Sequence, residues 1–335
     1  MNLVRAELER LAVRRFVQLM LALLVLAFAV TAVTTLVGSH RPSPTEVAEA
    51  QQAAAQERQA LEATYQRCLA AVRGTLPPEE ADSFPDDCTA FDSAQRDRLP
   101  VAADHLQGVF NFANQARPLL YFLILFLVLF GFLVGASYIG ADLSTGGVVN
   151  LLIWRPRRIA VFGAKLGTLL GALTVVSVLA SAAYLGAFWL VGQTAGMPGV
   201  TDGDFWPSLG LLWARGVVLV LFAATAGFAI ATLGRRTAAA LGAVTAYAVV
   251  WELGLRVVME VVNIPRGEDW MLSTYLDAWL TGEARLADAT TCQGVSGYCD
   301  GSYQLGWGLG LAVLLALTGG LTVAAFAAFR RRDLI

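Results

Sequence analysis

Apolar residues in this chain gather into six long blocks, at 16–38, 118–141, 166–192, 209–233, 238–262 and 305–329, with polar stretches between them. A helix needs about 20 mostly apolar residues to cross the roughly 30 Å of hydrocarbon in a bilayer. Every block meets that length, so the pattern predicts an all-α polytopic membrane protein with six transmembrane helices. The first block follows Arg5, Arg10, Arg14 and Arg15, as the core of a signal peptide would. Its apolar run of about 22 residues exceeds the roughly 7–15 of a cleavable segment, which favours a retained first span. Ahead of it, 1–15 reads as an amphipathic helix on the membrane surface, with Leu3, Val4, Leu8 and Leu11 opposing Arg5 and Arg10.

The polar stretches carry patterns of their own. Within 39–117, the run 44–73 lacks glycine and is rich in Ala, Gln and Glu, and Pro77 and Pro78 follow it. Such a stretch could be disordered, but Leu61, Tyr65, Cys68, Leu69 and Val72 recur at helical spacing. The expectation is a small helical loop domain. In 263–304, the segment 270–280 is apolar and aromatic. Segment 142–165 is short and basic, and 330–335 is a basic tail.

Composition changes the picture in one respect. Hydrophobic residues make up 56% of the 335 and charged residues 15%, against about a quarter charged in soluble domains. The net charge of −2 gives no case for nucleic-acid binding, yet it hides a strong asymmetry. Segments 1–15, 142–165, 234–237 and 330–335 hold 13 basic and four acidic residues, whereas 39–117, 193–208 and 263–304 together stand at −11. Basic residues in short loops stay cytoplasmic, so both termini and 142–165 are expected inside. One Lys against 23 Arg points to a GC-rich bacterial genome, and the expected location is the bacterial cytoplasmic (plasma) membrane.

By this reading Cys68, Cys88, Cys292 and Cys299 all lie on the outer side. An even count on an oxidising face suggests two disulfides. The local pairs 68–88 and 292–299 close the shortest loops, and a cross-loop pairing is the alternative. His40 and His105 are the only histidines and have no ligand-like spacing to a Cys pair, so no metal site is expected.

Catalytic patterns are missing. No G-x-x-x-x-G-K-[ST] loop occurs, and the single lysine is Lys165. No predicted span contains a His or a well-embedded Asp, and Ser137 lacks the flanking pattern of a nucleophile. The chain is expected not to be an enzyme and to bind no cofactor itself. Glu252, Arg256 and Glu260 stand at i, i+4 and i+8, a spacing that lets Arg256 pair with both carboxylates. With Arg215 they form an outer-boundary polar cluster, readable as a gate lining or as an ion-pair tie between helices. Gly131 and Gly135, and Gly163, Gly167 and Gly171, form small-residue ridges expected mainly to pack helices within the chain.

The most specific feature is the inner loop. It shows Asp142, Gly146 and Gly147, Leu151 and Leu152, Pro156, Arg158 and Lys165 in that order. Asp142 with Ser144 or Thr145 can cap a short surface helix, which Pro156 ends. This order resembles the membrane permeases of type-2 ABC exporters, whose loop typically runs Glu-x-x-x-Gly-Thr, Leu-Leu, Pro-x-x-Arg and then Lys. The amphipathic start and the basic run Arg330, Arg331 and Arg332 before Asp333 fit the same family. Asp142 replaces the usual Glu, and Gly147 the usual Thr. The resemblance implies a half-transporter working with two copies of a separate ATPase that carries ATP and Mg, in a permease homodimer or heterodimer embedded in membrane lipid. It also implies that 142–158 is the coupling helix and that 263–304 re-enters the membrane. The alternative is a non-transporting sensor or scaffold whose outer loop binds a ligand or partner.

Overall fold

The computed structural model describes residues 3–81, 83–85, 88–93, 99–145, 158–262, 264–292 and 301–331. Of the described residues, 81% are helical. Among the described residues, six helices are long and apolar enough to cross a membrane, consistent with a helical polytopic membrane protein.

A short helix α1 (Leu3–Val13) precedes the first long one, α2 (Arg15–Gly38), and the extended backbone of Arg14 makes the elbow between them. Its apolar stripe is only partly used: Leu11 is buried and Leu8 is exposed. Helix α3 (Pro44–Val72) follows, opened by Ser43, whose hydroxyl accepts the Glu46 N–H while Glu46 accepts the Ser43 N–H. This reciprocal cap satisfies two otherwise orphan donors. A disulfide joins Cys68 to Cys88 across a 5.8 Å Cα separation, holding α3 to the segment that returns toward the next span.

The remaining long helices are α4 (Phe112–Ser144), α5 (Arg158–Ala195), α6 (Phe205–Gly234) and α7 (Thr237–Val262). Helix α4 starts six residues before the apolar block, because the Asn111 side chain accepts the Asn114 N–H and nucleates a polar first turn. Helix α5 likewise begins eight residues early, at Arg158. At about 1.5 Å per residue its 38 residues span some 57 Å, well beyond a hydrocarbon core.

Helices α4 and α6 form the centre of the bundle. A Cβ on Gly135 would overlap the carbonyl of Ala224, and one on Gly227 would overlap the carbonyl of Phe132. Glycine at both positions therefore lets the two backbones touch. The ridge of Gly131 and Gly135 does pack inside the chain, as expected. The ridge of Gly163, Gly167 and Gly171 does not: nothing lies within 4 Å of the Cβ positions, because that stripe of α5 points away from α4 and α6.

Helix α7 is barely packed, with 6% of its most apolar window buried against 50% for α4 and α6. Its middle, Tyr247–Leu255, is π-helical. Beyond it a short helix α8 (Leu272–Thr281) lies against α6 and the last long helix, α9 (Trp307–Arg331). One feature departs from an all-helical chain. Strands β1 (Glu283–Ala287) and β2 (Ser302–Gly306) pair antiparallel, Glu283 opposite Gly306. Ala284, Leu286 and Leu305 are buried, an alternation that suits a half-covered strand. The last span consequently begins at Trp307 and not at 305.

Candidate functional site

One end of the bundle contains a closed set of charges. Lys165, eight residues into its helix, donates to Glu7 Oε2 at 2.8 Å and to Asp142 Oδ2 at 2.8 Å. Glu7 and Lys165 are 1% and 2% exposed. The Tyr138 hydroxyl donates to the same Glu7 oxygen at 2.5 Å, and Lys165 Nζ stands 4.9 Å from the Tyr138 ring centre. Arg14 pairs with Asp142 through its other oxygen and donates to the carbonyls of Ser137 and Tyr138 at 3.3 and 3.0 Å. Two carboxylates thus face two cations, and the half-exposed Arg10 approaches Glu7 at 3.4 Å from outside.

The elements explain the meeting. Asp142 ends α4, Lys165 lies in the first turns of α5, Glu7 is on the inward face of α1, and Arg14 is the elbow. The cluster thereby ties α1 to both roots of the segment between α4 and α5. An ion removed from water costs several kcal/mol unless its partners are in place, and here every member has a partner. Phe162 packs on Phe228, Phe326 and Phe329 at 4.5–4.9 Å between ring centres, so the ends of α6 and α9 join the same layer.

Of the residues expected in the loop motif, Asp142 and Lys165 are brought together, but they point inward. Gly146, Gly147, Leu151, Leu152 and Pro156 lie outside the described residues, as do Arg332 and Asp333. Arg158 opens α5. Glu7 was missed, although a signal existed: it stands four residues from both Leu3 and Leu11, on the stripe that α1 turns inward.

The opposite end is organised differently. Arg256 pairs with Glu268 at 3.4 Å, and among the described residues it pairs with neither Glu252 nor Glu260. The π-helical stretch carries Glu252 off the i, i+4 register on which that pairing depended. Glu252 instead accepts the backbone N–H and hydroxyl of Ser273 at 3.1 and 2.8 Å and the Tyr247 hydroxyl at 2.8 Å. A carboxylate at the first turn of α8 is well placed to satisfy its free N–H groups and its dipole. Glu260 is exposed. A second knot holds the hairpin: Arg266 donates to Asp288 at 2.6 Å and lies 4.7 Å from the Tyr303 ring centre. The Thr290 hydroxyl and then Arg266 hold the Asp288 carboxyl below its usual range, while burial and then the hydrogen bond to Asp269 push the Tyr303 phenol up.

Arg215 stands apart from the other three residues of the expected cluster. Its guanidinium carbon is 5.8 Å and 5.9 Å from the ring centres of Trp279 and Trp307. Cys292 is engaged, and its expected partner Cys299 lies outside the described residues. Among those residues, no three His, Cys, Asp or Glu side chains could together hold a metal ion. No protein-family model matches the chain, and no curated protein matches it either.

Proposed function

We propose that the chain is the permease subunit of an ABC exporter of the type-2 class, moving a substrate outward with ATP hydrolysed by a separate subunit. The observation that carries this reading is the bonding of Lys165 to both Glu7 and Asp142. A subunit driven from outside needs its driven segment fastened rigidly to the helices it must move. The cluster fastens both roots of 142–165 and the surface helix into one block. The basic ends and loop assign this block to the cytoplasm, and the loop motif gives 142–158 the part of coupling helix.

In this reading two ATPase subunits bind Mg-ATP and two permeases form the membrane unit. Neither ATP nor Mg is held by this chain. The helix α3, tied by its disulfide and packed on its own connecting segment, also suits a sensor whose outer loop binds a ligand. Purification from native membranes in mild detergent separates the two. An ABC ATPase travelling with the chain is the expected result, and its absence overturns the exporter reading. Reconstitution with that ATPase then tests the joint: Glu7→Gln should preserve assembly while lowering ATP-driven transport, and unchanged transport would remove the coupling role from the cluster.

A further inference from the structure

Among the described residues Arg215 pairs with no carboxylate and is flanked by two indoles. It lies ten residues into α6 and 19 before Gly234, or roughly 28 Å along the axis from the arginine-bearing end. That distance is close to the full hydrocarbon thickness of about 30 Å, so Arg215 sits where acyl chains meet headgroups in the leaflet away from Lys165. An arginine at that level can reach the headgroup layer with its guanidinium while its stem stays among apolar groups.

The groups placed against it among the described residues are neutral. Two indole faces flank the guanidinium. Trp279 is fixed by donating its ring N–H to the Arg215 carbonyl at 3.0 Å. Gly282 ends α8 with φ +109, and a Cβ there would stand 3.0 Å from the guanidinium. The turn leaves room for the cation and brings the negative end of a ten-residue helix to it. The nearest acidic residues in sequence to these groups do not answer the charge. Glu283 pairs with Arg285 at 3.2 Å, and Asp277 is exposed with no ion pair to Arg215 among the described residues. Partial charges and π faces hold the guanidinium in one orientation without cancelling it.

The surroundings also suit an amphiphile. Trp307 is 50% exposed, and Trp307, Leu311 and Leu315 follow at i, i+4 and i+8, one face of α9 running from the guanidinium toward the middle of the span. Arginine binds phosphate through a fork of parallel hydrogen bonds, and the apolar stripe lies where an acyl chain would descend. We infer that Arg215, Trp279 and Trp307 form a binding site for the phosphate headgroup of an anionic lipid in the leaflet opposite the Lys165 cluster. The inference does not depend on the chain being an exporter.

The test uses the purified full chain, delipidated in detergent, with phosphatidylglycerol and phosphatidylcholine as probes and retained lipid counted by native mass spectrometry. The wild type should prefer the anionic lipid by about tenfold, the scale of one charge-assisted hydrogen-bonded contact. Arg215→Gln should lose that preference, Arg215→Lys should keep part of it, and Arg256→Gln should leave it unchanged. Equal retention of the two lipids by the wild type, or an undiminished preference in Arg215→Gln, would overturn the site. Soluble glycerol phosphate tests the source of the anion: if it displaces the lipid at comparable concentration, a free phosphate site replaces the lipid site. Should Arg215→Gln not fold, quenching of tryptophan fluorescence by brominated phosphatidylglycerol in the unaltered protein decides, because equal quenching by the brominated choline lipid rejects the site.

Discussion

The two ends of the bundle handle buried charge in opposite ways. At one end Glu7, Asp142, Lys165 and Arg14 form a neutral set, each with a partner from a different part of the chain. At the other, Arg215 is held between two indoles with no carboxylate among the described residues. The first arrangement joins elements; removing any member strands the others. The second orients a charge and leaves it to be answered from outside the chain. A closed network therefore speaks for mechanical linkage, and an open one for recognition.

Replacing Lys165 by Met breaks this comparison most severely. It leaves Glu7 and Asp142 facing each other with Arg14 and only the half-exposed Arg10 to answer them, and losing one partner of a buried pair destabilises by about 3–5 kcal/mol. Unfolding in mixed micelles should register a loss of that size. Removing Glu7 at the same time, as Glu7→Leu with Lys165→Met, leaves Asp142 and Arg14 as a neutral pair. The double variant should accordingly be more stable than Lys165→Met alone, and strictly additive losses would show that the two side chains do not act as a unit.

Next in size comes the disulfide, since the far end relies on a covalent tie where the near end relies on charge. Cys68 and Cys88 are 20 residues apart, and closing a loop of that length restricts the unfolded chain by about 3 kcal/mol. Replacing both cysteines with serine should free α3 to exchange its amide hydrogens faster while the Lys165 end stays protected. Hydrogen exchange read by mass spectrometry checks this. A rise in exchange at both ends would mean that the two regions are one cooperative unit.

Much of the fold was legible because it rests on local signals. Six apolar blocks, the helix over 44–73 and the Cys68–Cys88 pair each follow from residues close in sequence. What was not legible depends on contacts between distant segments. Glu7 meets Lys165 across 158 positions, and its helix stripe alone does not say what it will face. The pairing of Arg256 with Glu252 was a sound inference for a regular helix, and the π-helical turn at Tyr247–Leu255 removed its premise; Arg256 and Glu260 keep the α-helical spacing, but Arg256 turns to Glu268 instead. The hairpin of β1 and β2 was hidden because each strand has only five residues, too few for an alternation to stand out beside long apolar helices.

The smallest expected effect belongs to Arg215→Gln, and it sharpens the contrast because it is small. Glutamine keeps hydrogen-bonding capacity and removes a cation that no carboxylate among the described residues meets. The interactions lost are two cation–π contacts of roughly 0.5–1 kcal/mol each at partly exposed sites. Relief of the desolvated charge opposes that loss. In detergent free of anionic lipid, the variant should unfold within about 1 kcal/mol of the wild type, far from the loss at Lys165. A loss as large as that of Lys165→Met would mean that Arg215 is bound into the fold as tightly as Lys165. The two ends would then differ in composition and not in purpose.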